Sequence, residues 1–233
     1  MTAQAKPRVV AIVQARMGAS RLPGKMLLNL NGAPIIEWIF RRMSCSRRLD
    51  RLVFAIPDGA NDDALQETLA QLGAETFRGS ENDVLGRFHA AAATCAPTHV
   101  VRICADNPFV DPVEVDKLID FSLVGEYDYA YNHIPRGNTY PDGLGAEIAT
   151  MDVLDRINAA ASASSEREHV FNHLWNHAST FRIGTFNPAD PSLAHPELRL
   201  DLDTPADYFD MVRRRPRITM TGGEIVELFR NTS

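Results

Sequence analysis

The sequence predicts an α/β fold: a doubly wound, mostly parallel sheet with helices on both faces. Three observations lead there. Val9–Val13 is an unbroken apolar run, the pattern of a strand buried on both sides. Strand-like runs then alternate with stretches of helical periodicity, as they do where crossover helices join parallel strands. A polar, glycine-bearing loop, Gln14–Lys25, follows the first run directly, at the strand end where such sheets bind ligands.

Beyond that loop, Asn31-Gly32 marks a turn, and Pro34 is predicted to open a helix with Ile35, Ile36, Ile39, Phe40 and Met43 on one face. Leu52–Ile56 reads as the second strand. Ala64, Leu65, Thr68, Leu69 and Leu72 repeat the helical spacing until Gly73 ends that helix. Val84, Leu85, Phe88, Ala91 and Ala92 form the stripe of a third helix. The strand His99–Ile103 runs into the loop Cys104–Pro108, Pro112 opens another helix, and Tyr127–Tyr131 is strand-like. Pro135–Gly145, with two prolines and three glycines, reads as an irregular loop. Leu198–Leu202 is the last predicted strand, with a helix starting near Thr204-Pro205.

The chain has 233 residues, enough for one sizeable domain, and 1–233 is read as a single unit. Its net charge of −6 disfavours nucleic acid, which is held chiefly by basic surfaces. The polar start MTAQAKPR and the short apolar run after it predict neither a secretion signal nor a membrane span. Cys45, Cys95 and Cys104 have no CxxC spacing, so a disulfide framework or zinc knuckle is not expected, and a reduced cytoplasm is.

The loop after the first strand carries the chemistry. Arg16, Arg21 and Lys25 repel one another there unless an anion sits among them, and a triphosphate would satisfy all three. A solvated basic loop is the plain alternative. A P-loop is excluded: five residues separate Gly18 from Gly24 where that motif has four, and Met26 replaces its Ser or Thr.

The string ARMGASRLPGK (15–25) resembles the signature of the cytidylyltransferases that make CMP-activated acidic sugars, such as the CMP-Kdo and CMP-sialate synthetases. It is most similar to the branch named for spore-coat polysaccharide biosynthesis. FRGSENDVLGRF (77–88), VVRICADNP (100–108), YPDGLGAEI (140–148), SEREHV (165–170) and LDTP (202–205) follow in the family's order, together spanning about four-fifths of the chain. The family has glycine at Ala105 and often threonine at Cys104.

The resemblance implies the nucleotide-diphospho-sugar transferase fold, Rossmann-like, with an elaboration for the sugar site and dimerisation. It implies transfer of CMP from CTP to a sugar hydroxyl with release of pyrophosphate, Mg²⁺ as cofactor, and a cytoplasmic homodimer with no nucleic-acid or membrane partner. Carried over residue by residue, it puts Gln14, Ala15, Arg16, Gly18, Arg21, Lys25, Arg78, Gly79, Ser80, Asp83, Arg102 and Asp106 on the nucleotide. Arg16, Arg21 and Lys25 are the catalytic cations. Asn132, Tyr140, Pro141, Asp142, Glu147, Glu166 and Arg167 fall on the sugar side, the last two with a dimer contact as the other role. Asp106 and Asp203 hold the metal, with Asp201 as an accessory ligand.

Each assignment has a structural counterpart. An Asp before Thr-Pro is a common helix cap, Ser80 or Asn82 would cap the third helix, and Ser165 with Glu168 fits a capping box. His169, His173 and His177 recur every four residues. Val170 stands where HExxH has glutamate and no further ligand is evident, so a plain histidine-bearing helix face without zinc is expected. Arg78, Arg87, Arg136 and Arg167 are candidate partners for a sugar carboxylate. Two rival functions remain: a glycosyltransferase, from Asp201-Leu-Asp203 as a DxD motif, and a nucleotide-binding module without turnover.

Overall fold

The structure is a computed structural model that describes residues 6–231; the first five residues of the polar start lie outside the described residues. The main sheet has seven strands. β1 (Val9–Gln14) lies at its middle, flanked by β4 (Arg51–Pro57) and β6 (His99–Cys104), and β5 (Glu75–Gly79) lies outside β4. These four are parallel. Beyond β6 come β8 (Glu147–Thr150), antiparallel to both neighbours, then β7 (Tyr129–Tyr131) and β9 (Ile183–Thr185), parallel to each other. A separate two-stranded ribbon pairs β2 (Asn29–Leu30) with β3 (Ala33–Pro34).

Period-two alternation divides the sheet between two cores. Val9, Ala11 and Val13 of β1 face one core, with Phe54 and Ile56 of β4 and Val101 and Ile103 of β6. Helices α1 (Ile35–Met43), α2 (Asp63–Gln71), α4 (Pro112–Gly125) and α9 (Gly222–Arg230) cover that side. Val10 and Ile12 face the other, under α3 (Val84–Ala93), α5 (Met151–Ala160) and α7 (Asn172–Asn176). The third-helix stripe is buried throughout. The two remaining helices are α6 (Ser164–Glu168) and α8 (Pro205–Arg214), the latter held by a capping box between Thr204 and Asp207.

Several expectations are corrected. Pro34 caps α1 instead of opening it, because it is still extended and paired with Asn29 in the β2–β3 ribbon. In α2 only Leu65 and Leu69 are buried. β5, β8 and β9 were not anticipated; they are short and have no apolar alternation. Leu198–Leu202 is extended but forms no strand. Its backbone bonds alternate between two loops, with Leu198 and Leu200 meeting Asp142 and Leu202 meeting Asp106, leaving one bridge between Asp142 and Arg199. Ala163, not Ser165, precedes α6, and no side chain caps it.

Arg42, in the last turn of α1, is 4% exposed. It donates to the carbonyls of Val110 (2.8 Å), Ile218 (3.1 Å) and Met220 (2.6 Å), and its guanidinium lies 3.4 Å from the Asp111 carboxylate. Asp111 in turn caps α4. Removing one partner of such a buried pair leaves the other unpaired, so Arg42→Ala is predicted to cost about 3–5 kcal/mol of unfolding free energy. Urea denaturation measures it; a loss below about 1 kcal/mol would show the network to be incidental.

Candidate active site

The parallel strands run β5-β4-β1-β6, so the order reverses at β1 and the crevice opens beyond the carboxyl ends of β1 and β6. A cavity of about 300 Å³ lies there, at the small end for a ligand pocket. The loop after β1 forms one wall. Its turns are closed by Met17, whose carbonyl accepts from Ala19 (3.0 Å) and Gly24 (2.9 Å) and whose N–H donates to Asp62 (2.8 Å). Gly24 takes φ 72°, a left-handed conformation that glycine adopts without strain.

The loop delivers Gln14, Ala15, Arg16, Arg21 and Lys25 to the cavity, and β6 with its following loop delivers Arg102 and Asp106. Asp203 arrives from before α8. Lys25 is buried. Its ammonium donates to the Leu202 carbonyl at 2.7 Å and lies 3.6 Å from Asp106. Arg21 pairs with Asp203 at 2.6 Å. Arg102 is bound by Gln14 and Glu147. Glu147 also accepts from the Tyr129 hydroxyl; although burial pushes its carboxyl up, His133 and Arg102 hold it below the usual range. Burial pushes the Cys104 thiol up to about 12, so this cavity cysteine stays protonated and unreactive.

Among the charged lining residues, Glu168 and His169 were not among the predicted site residues, and Arg87 was a candidate only for a sugar carboxylate. Arg87 is 3% exposed and bonds to the Ser80 and Glu81 carbonyls, but its Nε is buried without a partner. Burial, then the positive charge of Arg16, lowers its affinity for a proton. Arg16 itself is exposed and makes no hydrogen bond or ion pair among the described residues. The two guanidiniums repel each other beside one cavity, the arrangement an anion would relieve. Glu168 and His169 end α6; their presence in SEREHV was the available clue.

Other predicted site residues serve as framework. Arg78 is locked onto Asp63 (2.6 Å) and the carbonyls of Pro57 and Gly59. Gly79 ends β5 and accepts from Asp58; the Ser80 hydroxyl accepts from Asp83 N–H at 3.1 Å. Asp83 caps α3 and binds Arg167 at 2.5 Å. Gly18 is exposed on the loop and does not line the cavity. Asn132 is fully buried between Glu114 and Ala146, Tyr140 donates to Glu114 at 2.6 Å, and Pro141 is buried. Glu166 accepts from Asn176, and Arg136 lies over Trp175, 3.9 Å from its ring centre. Of the four arginines considered for a sugar carboxylate, only Arg87 reaches the cavity.

Asp201 is drawn away by Arg199, with contacts of 3.1 and 2.7 Å, so it does not share the cavity with Asp203. It lies instead near Asp142, whose carboxyl is pushed up to about 6 by burial first and then by the charges of Asp201 and Asp106. Gly143 permits this approach: at φ 88°, an added Cβ would stand 3.0 Å from the Asp201 nitrogen.

Asp142 therefore sets a pH dependence. Unfolded, it releases its proton near its ordinary value; folded, it keeps the proton until about pH 6, so stability falls as pH rises through that window. In EDTA, Asp142→Asn is predicted to match wild type at pH 4 and to exceed it by about 1 kcal/mol at pH 7.5, after discounting for partial exposure. Equal stability at both pH values would refute the shift.

Comparison with known proteins agrees with this geometry. The chain is 33% identical to the spore coat polysaccharide biosynthesis protein SpsF of Bacillus subtilis, over 86% of this chain and 83% of that one. It superposes on a cytidylyltransferase from Leptospira borgpetersenii with a TM-score of 0.86 and 26% identity, covering 97% and 98% of the two chains. A CMP:2-keto-3-deoxy-manno-octonic acid synthetase complexed with CTP shares the fold, with a TM-score of 0.66 at 19% identity over 88% and 97%. The family model for cytidylyltransferases matches residues 10–206, and with the strand-end cavity between β1 and β6 this establishes that the chain belongs to the cytidylyltransferase family and is a nucleotidyltransferase.

Proposed function

We propose that the protein transfers CMP from CTP to a hydroxyl of an acidic sugar and releases pyrophosphate. The observation that supports this reading most is the pairing, in one cavity, of unsatisfied Arg16 and Arg87 donors with the Asp106 and Asp203 carboxylates. Arg16, Arg87 and Arg21 would bind the triphosphate and offset the charge that gathers on the departing pyrophosphate. An attacking hydroxyl and a leaving pyrophosphate must be in line across the α-phosphorus, so the rigid loop serves by positioning. We read 1–233 as one catalytic unit, and place it in the cytoplasm as a homodimer on the family resemblance; among the described residues no helix is long and apolar enough to cross a membrane.

The residues fit Mg²⁺. Asp106 and Asp203 offer hard oxygen donors at the cavity. A magnesium ion there would neutralise charge on the α-phosphate. Lys25 and Arg21 hold the two carboxylates in place. The glycosyltransferase reading loses its support, because Asp201 and Asp203 do not act as one DxD pair.

Pyrophosphate release is predicted with CTP and an acidic sugar, at least tenfold above UTP, GTP or ATP, and abolished by EDTA. A preference for another nucleotide would defeat the cytidylyl assignment. Arg16→Ala should weaken CTP binding about tenfold, roughly 1.4 kcal/mol, while leaving stability unchanged, because Arg16 has no protein partner. Wild-type CTP affinity in that variant would remove Arg16 from the site.

A further inference from the structure

The three histidines do not lie along one helix. The chain leaves α6 at Glu168 and turns, so His169 lines the cavity while α7 carries His173, with His177 just past its end. Glu166 of α6 comes to the latter two instead. One ligand atom from each of Glu166, His173 and His177 lies within 4.8 Å of both others, the one such group of three among the described residues.

The surroundings orient all three. His177 Nδ1 lies 2.9 Å from the His173 carbonyl, which can only accept, so that nitrogen carries the hydrogen and Nε2 keeps its lone pair. His173 Nδ1 is buried without a hydrogen bond of acceptable angle, although Glu166 Oε2 is only 3.1 Å away. Asn176 donates to Glu166 Oε1 at 3.1 Å, leaving Oε2 for another partner. A Glu–His ion pair would account for Glu166 and His173 alone. It does not account for the second imidazole, 4.3 Å from the first by ring centres, with its free nitrogen defined.

We propose that Glu166, His173 and His177 form a binding site for a divalent first-row transition ion, with zinc as the probe and water at the open position. Tetrahedral zinc with nitrogen ligands at about 2.0–2.1 Å sets ligand separations near ~3.4 Å, so the Glu166–His173 spacing already suits and His177 needs only a side-chain adjustment. Two imidazoles and one carboxylate select such an ion over magnesium, which distinguishes this site from Asp106 and Asp203. The ion clasps α6 to α7. Because α6 carries Arg167 to Asp83 and sends Glu168 and His169 to the cavity, the clasp steadies one wall of the active site. This inference stands apart from the reaction proposed above.

The test uses untagged protein stripped with EDTA, dialysed, and titrated with ZnCl₂ by calorimetry in millimolar Mg²⁺. Equimolar zinc binding with a raised Tm is expected. His177→Gln, at an exposed position, and Glu166→Gln should each weaken zinc at least about tenfold with unchanged circular dichroism, while Asp106→Asn should leave it intact. No zinc binding, equal affinity in His177→Gln, or loss of zinc in Asp106→Asn would overturn the proposal.

Discussion

The buried ammonium of Lys25 joins the parts of the crevice. By donating to the Leu202 carbonyl and facing Asp106, it ties the loop after the first strand to a segment 177 residues later. The Leu202 N–H adds a 2.7 Å bond to the Asp106 carbonyl. Together these contacts bring Asp203 and Asp106 to the same cavity. A buried amine costs free energy unless it is paired, so this link is specified by the very burial that makes it costly to break.

Charge placement follows from that joint. Cations whose partners are buried with them, Lys25 and Arg102, hold carboxylates or carbonyls in position, while the exposed Arg21 pairs with Asp203 at the rim. Arg16 and Arg87, each with a donor that no protein group accepts among the described residues, line the same cavity. The cavity thus separates groups that position from groups that bind, and an anion removes a repulsion already built into the fold. Such preorganisation is what phosphoryl and nucleotidyl transfer require, because the protein's part in them is largely electrostatic.

Much of this was legible in the sequence. The Arg16–Lys25 loop and Asp106 could be placed because their position depends only on following a strand, and strands buried on both faces announce themselves. Glu168 and His169 reach the cavity where the chain turns out of α6, which no local periodicity records. Conversely, Arg78, Ser80, Asp83, Tyr140 and Arg167 lie in motif-bearing segments yet bond to framework. Motifs mark places where the backbone must come close, and the groups that enforce that approach lie beside the groups that use it. Asp201 shows the limit of the DxD reading: with no strand there, Arg199 decided where it points.

The central claim is that Arg16 and Arg87 form the anion subsite at the strand ends. A crystal structure of the protein grown with CTP and Mg²⁺ tests it most directly. The account predicts triphosphate oxygens within hydrogen-bond distance of the Arg16 and Arg87 guanidiniums, with the metal on Asp106 and Asp203. A CTP bound elsewhere, or in the crevice with both arginines unengaged, would contradict it.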